Sequence, residues 1–165
     1  NDIIQHFKCI CFHSTPLPYG RGGSPIQNMI LRGHKHTEVC SLLMEEEFDA
    51  GPVYHRTRIN LEGGLQKILE EIYKAIADQI LSFIENDLTP VEQEGEATYF
   101  KRLNKRDNEL NFDQSLDTLY DKIRMLDSDV YPSAFINIDR YNIEFSNASL
   151  EEDVLKAEII IKEKK

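Results

Sequence analysis

Residues 14–24, STPLPYGRGGS, constrain this chain more than any other stretch. Two prolines and three glycines within it rule out a regular element and demand one particular backbone path. The flanks are regular. Before the loop, residues 8–12 (KCICF) form a short apolar run that suits a buried strand. The run ends at His13, at the carboxyl end of the strand, where open α/β sheets carry their chemistry. After the loop, Ser24 reads as an N-cap and Pro25 as the first helical residue, with Ile26, Met29 and Ile30 on one face and Gly33 as the stop.

Residues 38–44 (EVCSLLM) read as a second strand, followed by the acidic turn EEEFDAGP and a third β-rich stretch at 53–59. Two strands joined through a helix make a βαβ unit, so a parallel sheet with a right-handed crossover is expected. Gly63 and Gly64 then open the strongest helix, in which Leu65, Ile68, Leu69, Ile72, Ile76, Ile80, Phe83 and Ile84 keep helical spacing up to Asn86. That stripe is core. Beyond Thr89-Pro90, the polar run VEQEGEATYFKRLNKRDNE reads as an extended connector. Residues 113–126 return to helical spacing, Tyr131-Pro132 breaks it, and three short strand-like runs follow at 134–138, 141–145 and 157–161. The expected fold is α/β. A partial parallel, Rossmann-like sheet with flanking helices occupies residues 1–95, and a connector with a small β-rich C-terminal appendage occupies 96–165.

Charge and cysteine usage narrow the function. With 19 Lys and Arg against 29 Asp and Glu, the net charge of −10 repels polyanions such as tRNA and anionic membranes. Cys9, Cys11 and Cys40 are odd in number and lie in apolar, strand-like contexts, which suits buried thiols in a reducing compartment. His34 and His36 could join them, but no paired ligand spacing supports a metal site, and none is expected. No apolar run approaches the ~20 residues that cross a bilayer, so a cytoplasmic protein without a membrane partner is expected. The chain opens at Asn1 and runs straight into its first apolar strand, and we expect it to be a fragment that lacks an N-terminal portion.

The chemistry-bearing residues are His13, at the end of a buried strand, and Asp49, after the next one. In a parallel sheet these two ends are neighbours, and an imidazole polarised by a carboxylate suits general acid–base work. The spacing alone leaves open that His13 is a satisfied core histidine and Asp49 an ordinary turn residue.

The run His13-Ser14-Thr15-Pro16-Leu17-Pro18-Tyr19-Gly20-Arg21-Gly22-Gly23-Ser24-Pro25 resembles the signature of the folate-dependent formyltransferases. Phe48-Asp49-Ala50-Gly51-Pro52-Val53 looks like that family's second motif, at a similar distance from the His. The resemblance implies a formyltransferase sheet and direct transfer of a formyl group from 10-formyltetrahydrofolate to a primary amine, through a tetrahedral oxyanion. It implies that His13 stabilises charge and moves a proton, and that Asp49 orients His13 and shares in the transfer. Glu45, Glu46, Glu47 and Phe48 would lie beside the pterin. Arg21 and Gly22 would meet substrate; apart from the resemblance, Arg102, Lys105 and Arg106, in a basic cluster that also holds Lys101, could contact phosphate by charge and hydrogen bonds, or form a solvated basic patch. The family carries an Asn two residues before its His, placed to bond the formyl oxygen; here that position is Cys11, and a thiol is a poor donor. The loss of one oxyanion donor costs about 10²–10³ in rate.

Within such a family the acceptor is methionyl-tRNA, a nucleotide-linked amino sugar, glycinamide ribonucleotide or water. The acidic balance favours a small acceptor, the amine of a nucleotide sugar, with methionyl-tRNA as the alternative. Cys11 keeps a third reading open, a non-catalytic folate- or nucleotide-binding homologue.

Overall fold

In the computed structural model, which describes residues 2–164, the chain falls into two compact units. One comprises Asn1–Leu61 with Leu69–Arg102, the other Glu62–Ile68 with Leu103–Lys165. Asn1, where a cut was expected, lies outside the described residues.

The first unit contains α1 (Asp2–His6), β1 (Ile10–His13), β2 (Arg21–Gly22), α2 (Pro25–Leu31), β3 (His36–Leu43), β4 (Val53–Asn60), most of α3 (Leu65–Glu85) and β5 (Tyr99–Phe100). The α/β class holds, but the expected parallel pairing does not. In the sheet β1-β3-β4 both pairings are antiparallel, with Ile10 opposite Leu43, His13 opposite Cys40 and Thr37 opposite Ile59. The loop explains this. It turns back on itself through Leu17 N–H to Thr15 O and Tyr19 N–H to Pro16 O, and its outer limb pairs in parallel with Tyr99 and Phe100. The chain is therefore still at the His13 end of the sheet when α2 begins, and a seven-residue helix, about 10 Å long, does not carry it back.

Ser24 and Pro25 do start α2, although Ser24 takes a left-handed conformation (φ 48°) and its side chain does not cap the helix. The stop is as read: Gly33 N–H bonds Ile30 O and His34 N–H bonds Met29 O, which together form a Schellman motif. The polar run after Pro90 is not a free connector. Val91 bridges Val53, Thr98 N–H bonds Pro18 O, and Gly20 N–H bonds the Thr98 hydroxyl at 2.8 Å. These bonds are made by backbone and isolated hydroxyls, so they leave no hydrophobic period to read.

Within α3 the fully buried positions are Leu65, Ile68, Ile72, Ala75 and Gln79. The row Ile76, Ile80, Ile84 drifts off that face as the helix advances, leaving Ile80 44% and Ile84 77% exposed. Gln79 docks α3 on the sheet by donating to Val39 O at 3.0 Å and to the Thr57 hydroxyl at 2.8 Å.

The second unit holds a 3₁₀ turn (Lys105–Asn108), α4 (Leu116–Arg124) and the antiparallel meander β6 (Ala134–Ile138), β7 (Tyr141–Glu151) and β8 (Val154–Glu163). Ser115 caps α4 by accepting from Thr118 N–H, and buried Arg124 is fixed by Asp121 at 2.6 Å and Gly63 O at 3.0 Å. The β-rich C-terminal part was expected, but β7 and β8 outrun their apolar cores because the Asn, Ser, Glu and Lys residues that flank those cores continue the same ladder. No helix among the described residues is long and apolar enough to cross a membrane.

The division of α3 into buried and exposed rows predicts contrasting substitutions. Ile72→Ala should lower unfolding free energy by about 2–5 kcal/mol in urea denaturation, and Ile84→Ala should change it by less than about 0.5 kcal/mol.

Candidate active site

The two-residue period of a strand puts Cys11 and His13 on one face of β1. His13 is 6% exposed. Its Nε2 lies 2.9 Å from Gly20 O, and because a carbonyl oxygen can only accept, that nitrogen carries a hydrogen. The same carbonyl accepts from the Thr15 hydroxyl at 3.2 Å. The other ring nitrogen, Nδ1, faces Asp49 Oδ2 at 3.5 Å.

Asp49 reaches His13 by a route different from the one its sequence position suggests. Because β3 is antiparallel to β1, it leaves the sheet at Leu43, opposite Ile10 and about 10 Å along the strand from His13. The β3–β4 connection then doubles back, with Asp49 at φ 58°. Two glycines allow the close approaches. A Cβ on Gly51 would stand 2.0 Å from Leu43 O, and a Cβ on Gly22, at φ 98°, would stand 2.6 Å from Phe100 O. In exchange, Gly22 N–H donates to Asp49 Oδ2 at 2.9 Å, so the carboxylate is held between a backbone amide and an imidazole.

A polar network fixes the loop around that carboxylate. Arg21, only 9% exposed, donates to Glu47 Oε1 at 3.1 Å and to Gln93 Oε1 at 2.9 and 3.3 Å. Tyr99 donates its hydroxyl hydrogen to Glu47 at 2.6 Å. Gln93 donates from Nε2 to Asp49 O and Gly51 O, both at 2.8 Å. Gln93, Tyr99 and Thr98 were not singled out from sequence, and Thr15 was read only as part of the motif that begins at His13. Gln93 lies in an aperiodic polar run, and nothing in its neighbours marks it.

The remaining expected site residues are placed as follows. Glu45, Glu46, Glu47 and Phe48 form the exposed tip of the β3–β4 loop, with Phe48 86% exposed. The buried Arg21 guanidinium pairs with the exposed Glu47 carboxylate, while the Gly22 amide bonds Asp49. Arg102, Lys105 and Arg106 are exposed; Arg102 belongs to the first unit and the other two to the second. Cys11 is half-buried, and burial, reinforced by the nearby Asp49 carboxylate, pushes its thiol up to about 11. It therefore stays a neutral S–H at physiological pH, a weak donor and a poor nucleophile.

A buried His–Asp pair beside an exposed loop can hold and pass a proton, and comparison with known proteins gives it a lineage. A family model described as the C-terminal domain of methionyl-tRNA formyltransferase matches residues 105–162. The methionyl-tRNA formyltransferase of Clostridium thermocellum is 38% identical and superposes with a TM-score of 0.94, over 99% of this chain and 72% of that one. The chain belongs to the methionyl-tRNA formyltransferase family. The methionyl-tRNA formyltransferase of Campylobacter curvus is 31% identical over 138 residues, 81% of this chain but 45% of that protein, so the chain spans under half the length of such relatives. Two more distant structures share the fold: HypX from Aquifex aeolicus in complex with tetrahydrofolic acid (20% identical, TM-score 0.70, 90% of this chain and 27% of HypX), and a 4-N formyltransferase from Francisella tularensis (18% identical, TM-score 0.64, 82% of this chain and 59% of the enzyme).

Two measurements follow from this site. Gly51→Ala should destabilise the fold by more than about 2 kcal/mol, since its clash is with backbone and has no flexible side chain to yield; a urea midpoint unchanged from wild type would contradict the close approach. Alkylation of Cys11 by iodoacetamide should be slow at neutral pH and rise about tenfold per pH unit until it levels near pH 11, because only the thiolate reacts.

Proposed function

We propose that this chain carries the proton-handling part of a site that formylates methionyl-tRNA with 10-formyltetrahydrofolate. The observation that carries the reading is the His13–Asp49 pair at 3.5 Å, placed by the two motifs that resemble the family signature. The cosubstrate supplies the formyl group when it is bound. The residues present fit such a molecule: the loop of Glu45, Glu46, Glu47 and Phe48 is exposed beside the pair, and the bare Phe48 ring can stack on a flat heterocycle. The folate-bound HypX of the same fold adds support.

In this reading Asp49 sets the orientation of His13 through Nδ1, which it faces at 3.5 Å. His13 accepts the proton that the attacking amine loses, and it offers positive charge to the oxygen that becomes negative. Cys11, on the same strand face, offers one neutral S–H donor. A backbone-held carboxylate keeps these groups in register without reorganisation during the reaction.

Methionyl-tRNA is favoured over the nucleotide sugar that composition first suggested. The support is the 38% identity to the C. thermocellum enzyme along nearly the whole chain, against 18% for the F. tularensis 4-N formyltransferase, and the match of residues 105–162 to the C-terminal domain of tRNA enzymes. The exposed cations Lys101 and Arg102 of the first unit, and Lys105 and Arg106 of the second, each suit contact with phosphate on an otherwise acidic chain. A second reading, a binding protein that has lost its chemistry, rests on Cys11 alone.

The test measures conversion of 10-formyltetrahydrofolate to tetrahydrofolate by the full-length protein, with methionyl-tRNA and a panel of amino-sugar nucleotides offered in parallel. Turnover is expected with methionyl-tRNA, with an affinity that falls steeply as salt rises. His13→Ala should cost about 10²–10⁴ in rate, and Cys11→Asn should raise the rate. Folate binding without turnover on any acceptor, unimproved by Cys11→Asn, would move the assignment to the binding protein.

A further inference from the structure

We infer that Gln93 is a positioning residue for Asp49, and that it ties the His–Asp pair to the ionic state of Arg21 and Glu47. The inference rests on the proposed role of Asp49 and deepens it.

The geometry is a fork with every arm used. Both hydrogens of the Gln93 amide are committed to the β3–β4 loop, one to Asp49 O and one to Gly51 O, each at 2.8 Å. Its oxygen accepts Arg21 Nη2 at 2.9 Å and Arg21 Nε at 3.3 Å. Only a primary amide of this length offers two donors on one side and a two-lone-pair acceptor on the other. Glu would present a carboxylate to two carbonyl oxygens, and Met would leave those carbonyls and the guanidinium without the amide. The carbonyls in question belong to Asp49, whose backbone is in the left-handed region, and to Gly51, two residues on, where a Cβ would meet Leu43 O. That conformation is uncommon for any residue other than glycine, although Asp tolerates it better than most. The Gln93 amide supplies the external bonds that hold it there.

The second half of the argument is electrostatic. Arg21 pairs with Glu47, two residues before Asp49, and Tyr99 reinforces that pair from the other side. The guanidinium polarises the Gln93 carbonyl group, which makes the amide hydrogens stronger donors to the loop. A change at Arg21 or Glu47 therefore reaches Asp49 through Gln93, although neither residue touches His13 in this structure. On this account the Arg-Gly pair of the first motif acts on the site in two ways: Gly22 holds the Asp49 side chain, and Arg21 holds its backbone through the amide.

The experiment uses the full-length protein with Gln93→Met and Gln93→Glu, each alone and with Asp49→Ala. The Gly22 amide, whose acceptor is Asp49 Oδ2, supplies a readout independent of turnover. In Gln93→Met, kcat for methionyl-tRNA should fall by about 10- to 100-fold with KM within about threefold, as expected for a group moved by about 1 Å. Amide exchange at Gly22 should quicken, and the Asp49→Ala background should absorb the loss, so that the double variant is no slower than Asp49→Ala alone. Gln93→Glu, which keeps the Arg21 contact and lacks the donors, should behave in the same way and decides the matter if Gln93→Met does not fold. Unchanged kcat and unchanged Gly22 exchange in a folded variant would overturn the inference, as would full additivity with Asp49→Ala. The proposed function fails separately: if Asp49→Ala by itself leaves turnover intact, the role of Asp49 is wrong, whatever Gln93 does to the Gly22 amide.

Discussion

Asp49 Oδ2 accepts the Gly22 amide at 2.9 Å and faces His13 Nδ1 at 3.5 Å, so the Pro/Gly loop, β1 and the β3–β4 connection all meet at one carboxylate. Remove it and each segment loses its reason for its path. The loop needs Gly22 at positive φ against Phe100, the connection needs Gly51 against Leu43 O, and β1 must end with His13 turned inward. These are costs in backbone freedom and close contact, and they are offset only because a charged acceptor pairs with both an amide and an imidazole in a half-buried place.

Much of this was legible in the sequence because it is written in local chemistry. The loop's prolines and glycines, the Pro25 start and Gly33 stop of α2, and the period of α3 each record a backbone requirement in a residue type that meets it. Strand direction is not recorded that way. A run such as KCICF is equally apolar whether its neighbour runs with it or against it, and the antiparallel pairing of His13 with Cys40 depends on how the loop folds over residues 98–100. His13 and Asp49 were paired from sequence on the premise of neighbouring strand ends. They do meet, but through a connection that doubles back. Gln93 had no such record: its four bonds are long-range and polar, and a single Gln in VEQEG looks like any solvated residue.

The charge balance illustrates a different limit. A net charge of −10 speaks for the far field, and from it a small acceptor was favoured over tRNA. Within a Debye length of about 8 Å at physiological salt, however, a polyanion meets local charges, and Lys101 and Arg102 in the first unit, like Lys105 and Arg106 in the second, are exposed. Many of the acidic side chains lie elsewhere, in Glu45, Glu46 and Glu47 and along the solvent face of α3. The average is therefore a weak guide to partners when opposite charges are segregated, the more so because the chain spans 45% of the C. curvus relative.

The His13 ring sets the terms of any proton transfer here. Its Nε2 hydrogen is committed to Gly20 O, and in the neutral ring the Nδ1 lone pair points at a carboxylate that is also an acceptor. A hydrogen on Nδ1 as well removes that conflict and makes the ring a cation matched to Asp49. To take a proton from an amine, as the proposed reaction requires, the neutral ring presents a bare nitrogen by one of two routes: Nε2, with the hydrogen carried on Nδ1 toward Asp49 and Gly20 O released, or Nδ1, with the hydrogen kept on Nε2. The Thr15 hydroxyl keeps Gly20 O partnered when Nε2 leaves it, so the first route strands no buried carbonyl. In the second, the carboxylate that faces the new Nδ1 hydrogen is still bonded to the Gly22 amide and anchored by the amide of Gln93 through its own backbone. Either way, the proton moves within a frame whose backbone does not have to.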